Sequence, residues 1–206
     1  MWDPYAEVQA ITLENGLTIY CLQWPNREFE QVHFLTHSGS NHDPEAKPGI
    51  AHFVEHVVSR NGKETFNEKE AFFRPFGSRV DFGRTGAASS KYSFMLPIDP
   101  IVFARALDQF GHMLLGATLE HDIESERAII LAEFRRKFPS ERSWLDSREE
   151  FALLTRNGTL ARMTMNLGTP DSIQAITQAD LQAFYDAHYT PANMSVVCVG
   201  GMSVFE

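Results

Sequence analysis

Between Gly49 and Val58 the chain reads GIAHFVEHVV, and two histidines and a glutamate interrupt a run that is otherwise apolar behind its glycine. Turned at about 100° per residue, a helix here puts His52, Glu55 and His56 on one edge and leaves Ile50, Phe53, Val54, Val57 and Val58 to cover the rest. The hydrocarbon demands burial, and burial carries the polar stripe inward with it. Uncompensated charge is costly there, so the fold must bring these groups either a hydrogen-bond network or a cation. Histidines at i and i+4 project side by side one turn apart, which suits two neighbouring corners of a tetrahedral zinc site. Glu55 falls between them, close enough to reach a water at the metal. With eight histidines and 17 glutamates in 206 residues, an HxxEH arises by chance about one time in forty. The bland alternative is a pair of hydrogen-bonded core histidines with a glutamate at the rim.

A third ligand decides between these readings, and IESERAIILAEFRRK supplies a candidate. Glu126, Ile130 and Glu133 stand at i, i+4 and i+7, so both glutamates face the same way across two turns of a predicted helix. The neighbours of Glu133, from Ile129 to Phe134, are apolar, which predicts an interior position and a carboxylate in need of a partner. Glu126 can orient a histidine ring or a bound water from behind, although taken alone it reads as a solvated charge. Glu124 caps or solvates the first turn. His33, His37, His42, His112, His121 and His188 have no partner at metal spacing and read as ordinary surface or core histidines. Phe72, Phe73, Phe134 and Phe184 read as packing.

The rest of the chain supplies a frame. Asn15-Gly16 splits ITLENGLTIYCLQ into a hairpin; QVHFLTHSGS is a strand running into a turn-rich loop. TFNEKEAFFRPFG is a short helix capped at Thr65 or Asn67, and SRVDFGRTGAASSKYSFMLPID is a strand, a break and a strand. Helices are predicted over Pro100 to Leu115, over HDIESERAIILAEFRRK with acids first and bases last, over SERSWLDSREEFALLTRN and over TQADLQAFYDAHYTPANM; MSVVCVGG closes as a buried strand. Strands and helices mix without βαβ alternation, so the predicted class is α+β, an antiparallel (mixed) sheet with helices packed on one face. Residues 1–206 form one domain. Cys21 and Cys198 lack CxxC spacing and read as buried free thiols.

A net charge of −9 with scattered basic residues gives nucleic-acid binding no electrostatic support. No apolar run approaches the ~18 residues that span a bilayer, and MWDPYAEVQ lacks the features of a secretion signal. The expectation is a cytoplasmic protein without membrane partners.

HFVEH is the inverted zinc-peptidase motif HxxEH, and Glu133 follows His56 by 77 positions, with Glu126 seven before it. Together these resemble the pitrilysin, insulysin and mitochondrial processing peptidase family. GSNHDPEAKPGIAHFVEH is similar to the family's entry to its zinc helix, and GTPDSIQAITQADLQAFYDAHYTPANMSVVCVGG to its later segment, so the resemblance spans nearly the whole chain.

The resemblance implies that His52, His56 and Glu133 bind Zn2+, that Glu55 is the general base, and that Glu126 is the family's additional glutamate behind the ligands. The implied reaction is hydrolysis of peptides or small unfolded polypeptides by metal-activated water, with substrate added as a strand to a sheet edge. Family members carry Asn-Ala-x-Thr on that edge. Here VDFGRTG stands in its place, with Thr85 matching the Thr and Asp81 or Phe82 at the Asn. Family enzymes are clamshells of two homologous halves, the second supplying an Arg and Tyr pair. This chain matches one domain of such a clamshell-type metallopeptidase, a fragment or natural short form whose implied partner is a second homologous half or subunit, or a second copy in a homodimer. The alternative is a non-catalytic interaction or scaffold subunit that keeps the fold, with or without zinc; a closed structural zinc site is weaker, because only three ligands are evident.

Overall fold

Asn15-Gly16 does make a hairpin: β1 (Gln9–Thr12) pairs antiparallel with β2 (Thr18–Gln23), and Gly16 takes the left-handed φ of +88° that the turn requires. In this computed structural model residues 3, 5–62, 64–119, 123–155 and 166–202 are described. His121 and the ends of two predicted helices, 121–122 and 156–157, lie outside the described residues. Four more strands, β3 (Phe29–Thr36), β4 (Val80–Thr85), β5 (Ser90–Pro97) and β6 (Met194–Gly200), complete a six-stranded sheet ordered β1-β2-β6-β3-β5-β4. Every pairing is antiparallel except β2 with β6. The sheet is mixed, with β1 at one edge and β4 at the other.

Alternation on the central strands sets the layers. Val32, Phe34 and Thr36 of β3 share a buried face with Tyr92, Phe94 and Leu96 of β5. Helices α1 (Ile50–Arg60), α3 (Pro100–Leu115) and α7 (Gln178–His188) contribute to the same core, with α2 (Phe66–Phe73), α4 (Ile123–Lys137) and α6 (Pro170–Ala175) around them. Phe110 stands at its centre, with ring centroids 5.2, 5.1 and 5.8 Å from those of Phe34, Phe94 and Phe82. Phe73 belongs here too, and Phe134 packs in a smaller cluster with Phe138 and Trp144, the latter from α5 (Glu141–Thr155). Phe72, Phe73, Phe134 and Phe184 are packing residues, as read. Cys21 and Cys198 are free thiols, but half-buried and paired across β2 and β6 in register, because both strands turn this row toward the first turn of α3 rather than into the centre.

Of the five large apolar side chains of α1, Phe53, Val54, Val57 and Val58 are at most 1% exposed. At about 1.5–3 kcal/mol per side chain they supply roughly 6–12 kcal/mol of transfer free energy, enough to hold the polar stripe inside against its desolvation. α1 packs against β4, α4 and α7, so its polar edge looks into the angle between the β4 edge of the sheet and α4.

Candidate metal centre

Both ends of α1 are fastened by residues from elsewhere in the sequence. Its N-cap is Gly49, held at φ +94°, where a Cβ would stand 2.8 Å from Ile173 and 3.0 Å from the Gly168 backbone. Glycine has no side chain with which to cap, and Asp43 does so instead, accepting from the N–H groups of Gly49 at 2.6 Å and Ala51 at 3.0 Å. Burial raises the Asp43 carboxyl to about 6 in spite of these two bonds. At the other end Lys69 of α2, 1% exposed, donates from Nζ to the carbonyls of Ser59 (2.7 Å) and Asn61 (2.6 Å). Asn61 Nδ2 covers the Val57 carbonyl, and Ser59 Oγ that of His56. The carbonyls of His56, Val57, Ser59 and Asn61 at this end each receive a side-chain donor.

His52, Glu55 and His56 share one edge of the helix, as the 3.6-residue period requires, and the two imidazole rings stand edge to face at 4.7 Å. Across the cleft, α4 brings Glu133 to them: its Oε2 lies 3.6 Å from Nε2 of His52 and 3.6 Å from Nε2 of His56. Glu126, two turns earlier, accepts from His56 Nδ1 at 3.2 Å through Oε2 and from Arg60 Nε at 2.9 Å through Oε1. Arg60 in turn lies over the Phe66 ring at 4.2 Å. His52, Glu55, His56, Arg60 and Glu133 line a cleft of about 500 Å³, with Asp81, Gly83 and Thr85 of β4 on its other wall.

The two glutamates exchange the environments expected of them. Glu126, a solvated charge when taken alone, is buried; Glu133, expected in the interior, keeps about a third of its side chain exposed, and Ile129 beside it is 40% exposed. The reason lies in α4, which buries only the stripe Glu126, Ile130 and Phe134. Glu133 flanks that stripe and stands at the mouth of the cleft. Glu124 is exposed and pairs with Arg127, as expected of a first-turn acid. The remaining described histidines have ordinary partners or places: His37 with Ser195, His188 with Ser38, His42 with the Gly39 N–H, His112 with the Asp108 carbonyl, and His33 within β3.

Electrostatics separate the members of the cluster. Desolvation pushes Glu55 up to about 7, only partly offset by His56 and by the Thr85 hydroxyl. Desolvation and the neighbouring His56 push His52 down, so its imidazole is held neutral. Burial also acts to lower His56, but its bond to Glu126 and the nearby Glu133 carboxylate prevail and raise it to about 9. The nearby His56 pulls Glu133 down; in Glu126 the pull of His56 and Arg60 prevails over desolvation.

These residues fit a tetrahedral cation. Two ligand atoms at 2.0–2.1 Å from zinc stand about 3.4 Å apart. The two 3.6 Å separations are too long for hydrogen bonds and close to that spacing. The Glu55 Oε2 lies farther from His52 Nε2, at 4.0 Å, which favours Glu133 as third ligand and leaves Glu55 beside the site. The donor set of two imidazoles and one carboxylate is one that zinc accepts with a position open.

Four neighbours of the site carried little signal in the sequence. Arg60 stands at i+4 from His56, so its direction toward α4 was readable, but not its partner. Lys69 sits in a short, mostly polar helix that gives no hint of a buried ammonium. Gly83 lies in the bulge where β4 and β5 shift register between Asp81 and Arg84, and Asn166 donates to the Thr85 carbonyl from a loop distant in sequence. Asp81 and Thr85, taken from the edge-strand comparison, do line the cleft.

The insulinase pattern (peptidase family M16) matches residues 20–164, and the pattern of the M16 inactive domain matches residues 175–204. The mitochondrial-processing peptidase subunit beta of Blastocladiella emersonii is 27% identical over 202 residues, 97% of this chain and 42% of that protein. The "Probable zinc protease PqqL" of Escherichia coli (strain K12) is 30% identical over 206 residues, 94% of this chain and 21% of its own length. The crystal structure of the periplasmic protease PqqL from Escherichia coli superposes with a TM-score of 0.83 at 24% identity, over 97% of this chain and 22% of that one. The chain therefore spans less than half the length of these relatives.

Proposed function

The chain belongs to the insulinase family, peptidase family M16, and from that premise we propose that it is the zinc-bearing domain of an endopeptidase that hydrolyses peptides or small unfolded polypeptides. The observation that carries the reading is the meeting of His52 Nε2 and His56 Nε2 at equal 3.6 Å distances from one oxygen of Glu133, with Glu55 buried alongside. His52, His56 and Glu133 would hold the metal. Bound there, zinc supplies a Lewis acid that makes water acidic near neutral pH and polarises a carbonyl.

The chain's own groups do the rest. Glu126 receives the Nδ1–H of His56 and so fixes the tautomer that leaves Nε2 free to bind; Arg60 holds the other oxygen of that carboxylate in place. Glu55 takes a proton from the attacking water onto its carboxylate and returns it to the amine nitrogen as the C–N bond breaks. Its buried position supports that role, because desolvation makes the carboxylate a stronger base. β4 offers the free backbone edge along which an extended peptide can add as a strand beside the site. Asp81 stands on that edge near the place where relatives have Asn.

A second homologous half, in the same polypeptide or in a partner subunit, would close the cleft and supply the Arg and Tyr pair. The length comparison supports this, as the relatives are two to five times longer than their match to this chain. A non-catalytic scaffold role is less well supported, since a scaffold has no use for a buried carboxylate between two converging histidines. The test is to strip the complete protein with a chelator and to restore zinc: peptide hydrolysis should be lost and regained. Hydrolysis that persists without metal refutes the proposal.

A further inference from the structure

Below Glu55 lies a group of buried hydroxyls that apolar packing does not require. Thr85 of β4, Ser90 and Tyr92 of β5, and Tyr189 just after α7 are all between 0 and 6% exposed. Thr85 Oγ1 donates to Glu55 Oε2 at 3.4 Å and lies 3.1 Å from Ser90 Oγ. The Tyr189 and Tyr92 hydroxyls, 2.7 Å apart, pair with each other. Two hydroxyls thus run in sequence from β5 to one carboxylate, and the two tyrosine hydroxyls form a second pair.

Counting protons gives this run a direction. Each hydroxyl has a single proton to donate, while an ionised carboxylate can only accept. If Thr85 serves Glu55, then Ser90 serves Thr85. A competing outlet is the Ser38 carbonyl, 3.3 Å from Ser90 Oγ and so farther than Thr85 Oγ1 at 3.1 Å, and that carbonyl already receives the Thr36 hydroxyl at 3.1 Å. Aligned hydroxyls polarise one another, so the last bond is strengthened by the one behind it. Ser90, committed as a donor, leaves Thr85 no reason to turn its proton away from Glu55. The register enforces this, because Thr85 and Ser90 are paired across the β4–β5 ladder.

We propose that Ser90 is a positioning residue for the general base: acting through Thr85, it holds the Glu55 carboxylate in the orientation that proton transfer needs. This rests on the reading of Glu55 as that base. Ser90 touches neither the candidate metal ligands nor the cleft.

The test is a double-mutant cycle in the complete protein, with kcat, KM and zinc content measured together. Thr85→Val should lower kcat about tenfold with zinc content unchanged, a plausible cost for a base out of alignment; Thr85→Ser should restore most of it. Ser90→Ala should lower kcat about threefold with KM unchanged, and Ser90→Ala added to Thr85→Val should cost less than a further twofold, because Ser90 acts through a group already removed. Wild-type kcat in Ser90→Ala, or losses that multiply in the double variant, overturn the proposal. If the complete protein hydrolyses no peptide, the peptidase reading fails separately, and the metal-free chain decides on the hydroxyl run. Unfolding-midpoint shifts of Ser90→Ala and Glu55→Gln that fall short of their sum support coupling, and shifts that add refute it.

Discussion

Gly83 lies against the carboxylate of Glu55 so closely that a Cβ on the glycine would stand 2.6 Å from Glu55 Cδ. The backbone of Gly83 is outside the left-handed region, so it is space and not conformation that calls for glycine here. The edge strand thus flanks the candidate base twice, with bare backbone at Gly83 and with a hydroxyl at Thr85. Replacing Gly83 by valine should push the carboxylate aside and lower kcat at least about tenfold, while His52, His56 and Glu133 keep their places and the zinc content stays at that of the wild type. A Gly83→Val protein with unchanged kcat would show that Glu55 does not need this wall.

Glu126 bonds a histidine on one oxygen and an arginine on the other, and it is too far back to be a ligand in the geometry of the cleft. Removing such a support costs about 10–100-fold in metal affinity or activity in comparable sites. Glu126→Ala should therefore weaken zinc binding within that range, as measured by competition with a chelator of known affinity. Affinity equal to the wild type would leave Glu126 without the role assigned to it.

Lys69 offers a pH-dependent check on how α1 is anchored. Burial lowers its ammonium to about 8 from 10.5. The unfolded chain therefore holds a proton between pH 8 and 10.5 that the folded chain has released, and the Lys69 contribution to stability rises with pH through that window. Below pH 8 both states are protonated, and the contribution is flat. Lys69→Met removes the slope and leaves the Ser59 and Asn61 carbonyls without their donor, at a cost of about 1–3 kcal/mol for an unsatisfied buried group. Denaturant unfolding of the two proteins at pH 7.5 and pH 10 measures both effects; parallel stabilities at the two pH values would rule out the buried ammonium.

Much of the site was legible because period and spacing govern it. The 3.6-residue repeat put His52, Glu55 and His56 on one edge, and the apolar faces around them forced that edge inward, which is what α1 shows. The hairpin at Asn15-Gly16, the Pro100 start of α3 and the Thr177 cap of α7 were readable because each rests on local backbone chemistry. Burial on α4 was misjudged for Glu126 and Glu133, because the depth of a helical residue depends on which neighbour the helix meets, not on its own sequence neighbours. Lys69, Asp43 and the run from Ser90 through Thr85 to Glu55 were beyond reach for a related reason. Each acts on an element far away in the chain, and nothing local marks a lysine as a helix anchor or a serine as part of a buried chain of hydroxyls.

The most direct measurement is the zinc content and peptide turnover of the complete protein carrying Glu55→Gln. The expected result is one zinc per chain, as in the wild type, with kcat reduced at least about a hundredfold, the loss typical of a missing general base. Turnover within twofold of the wild type at full zinc occupancy would contradict the assignment of Glu55 as the base.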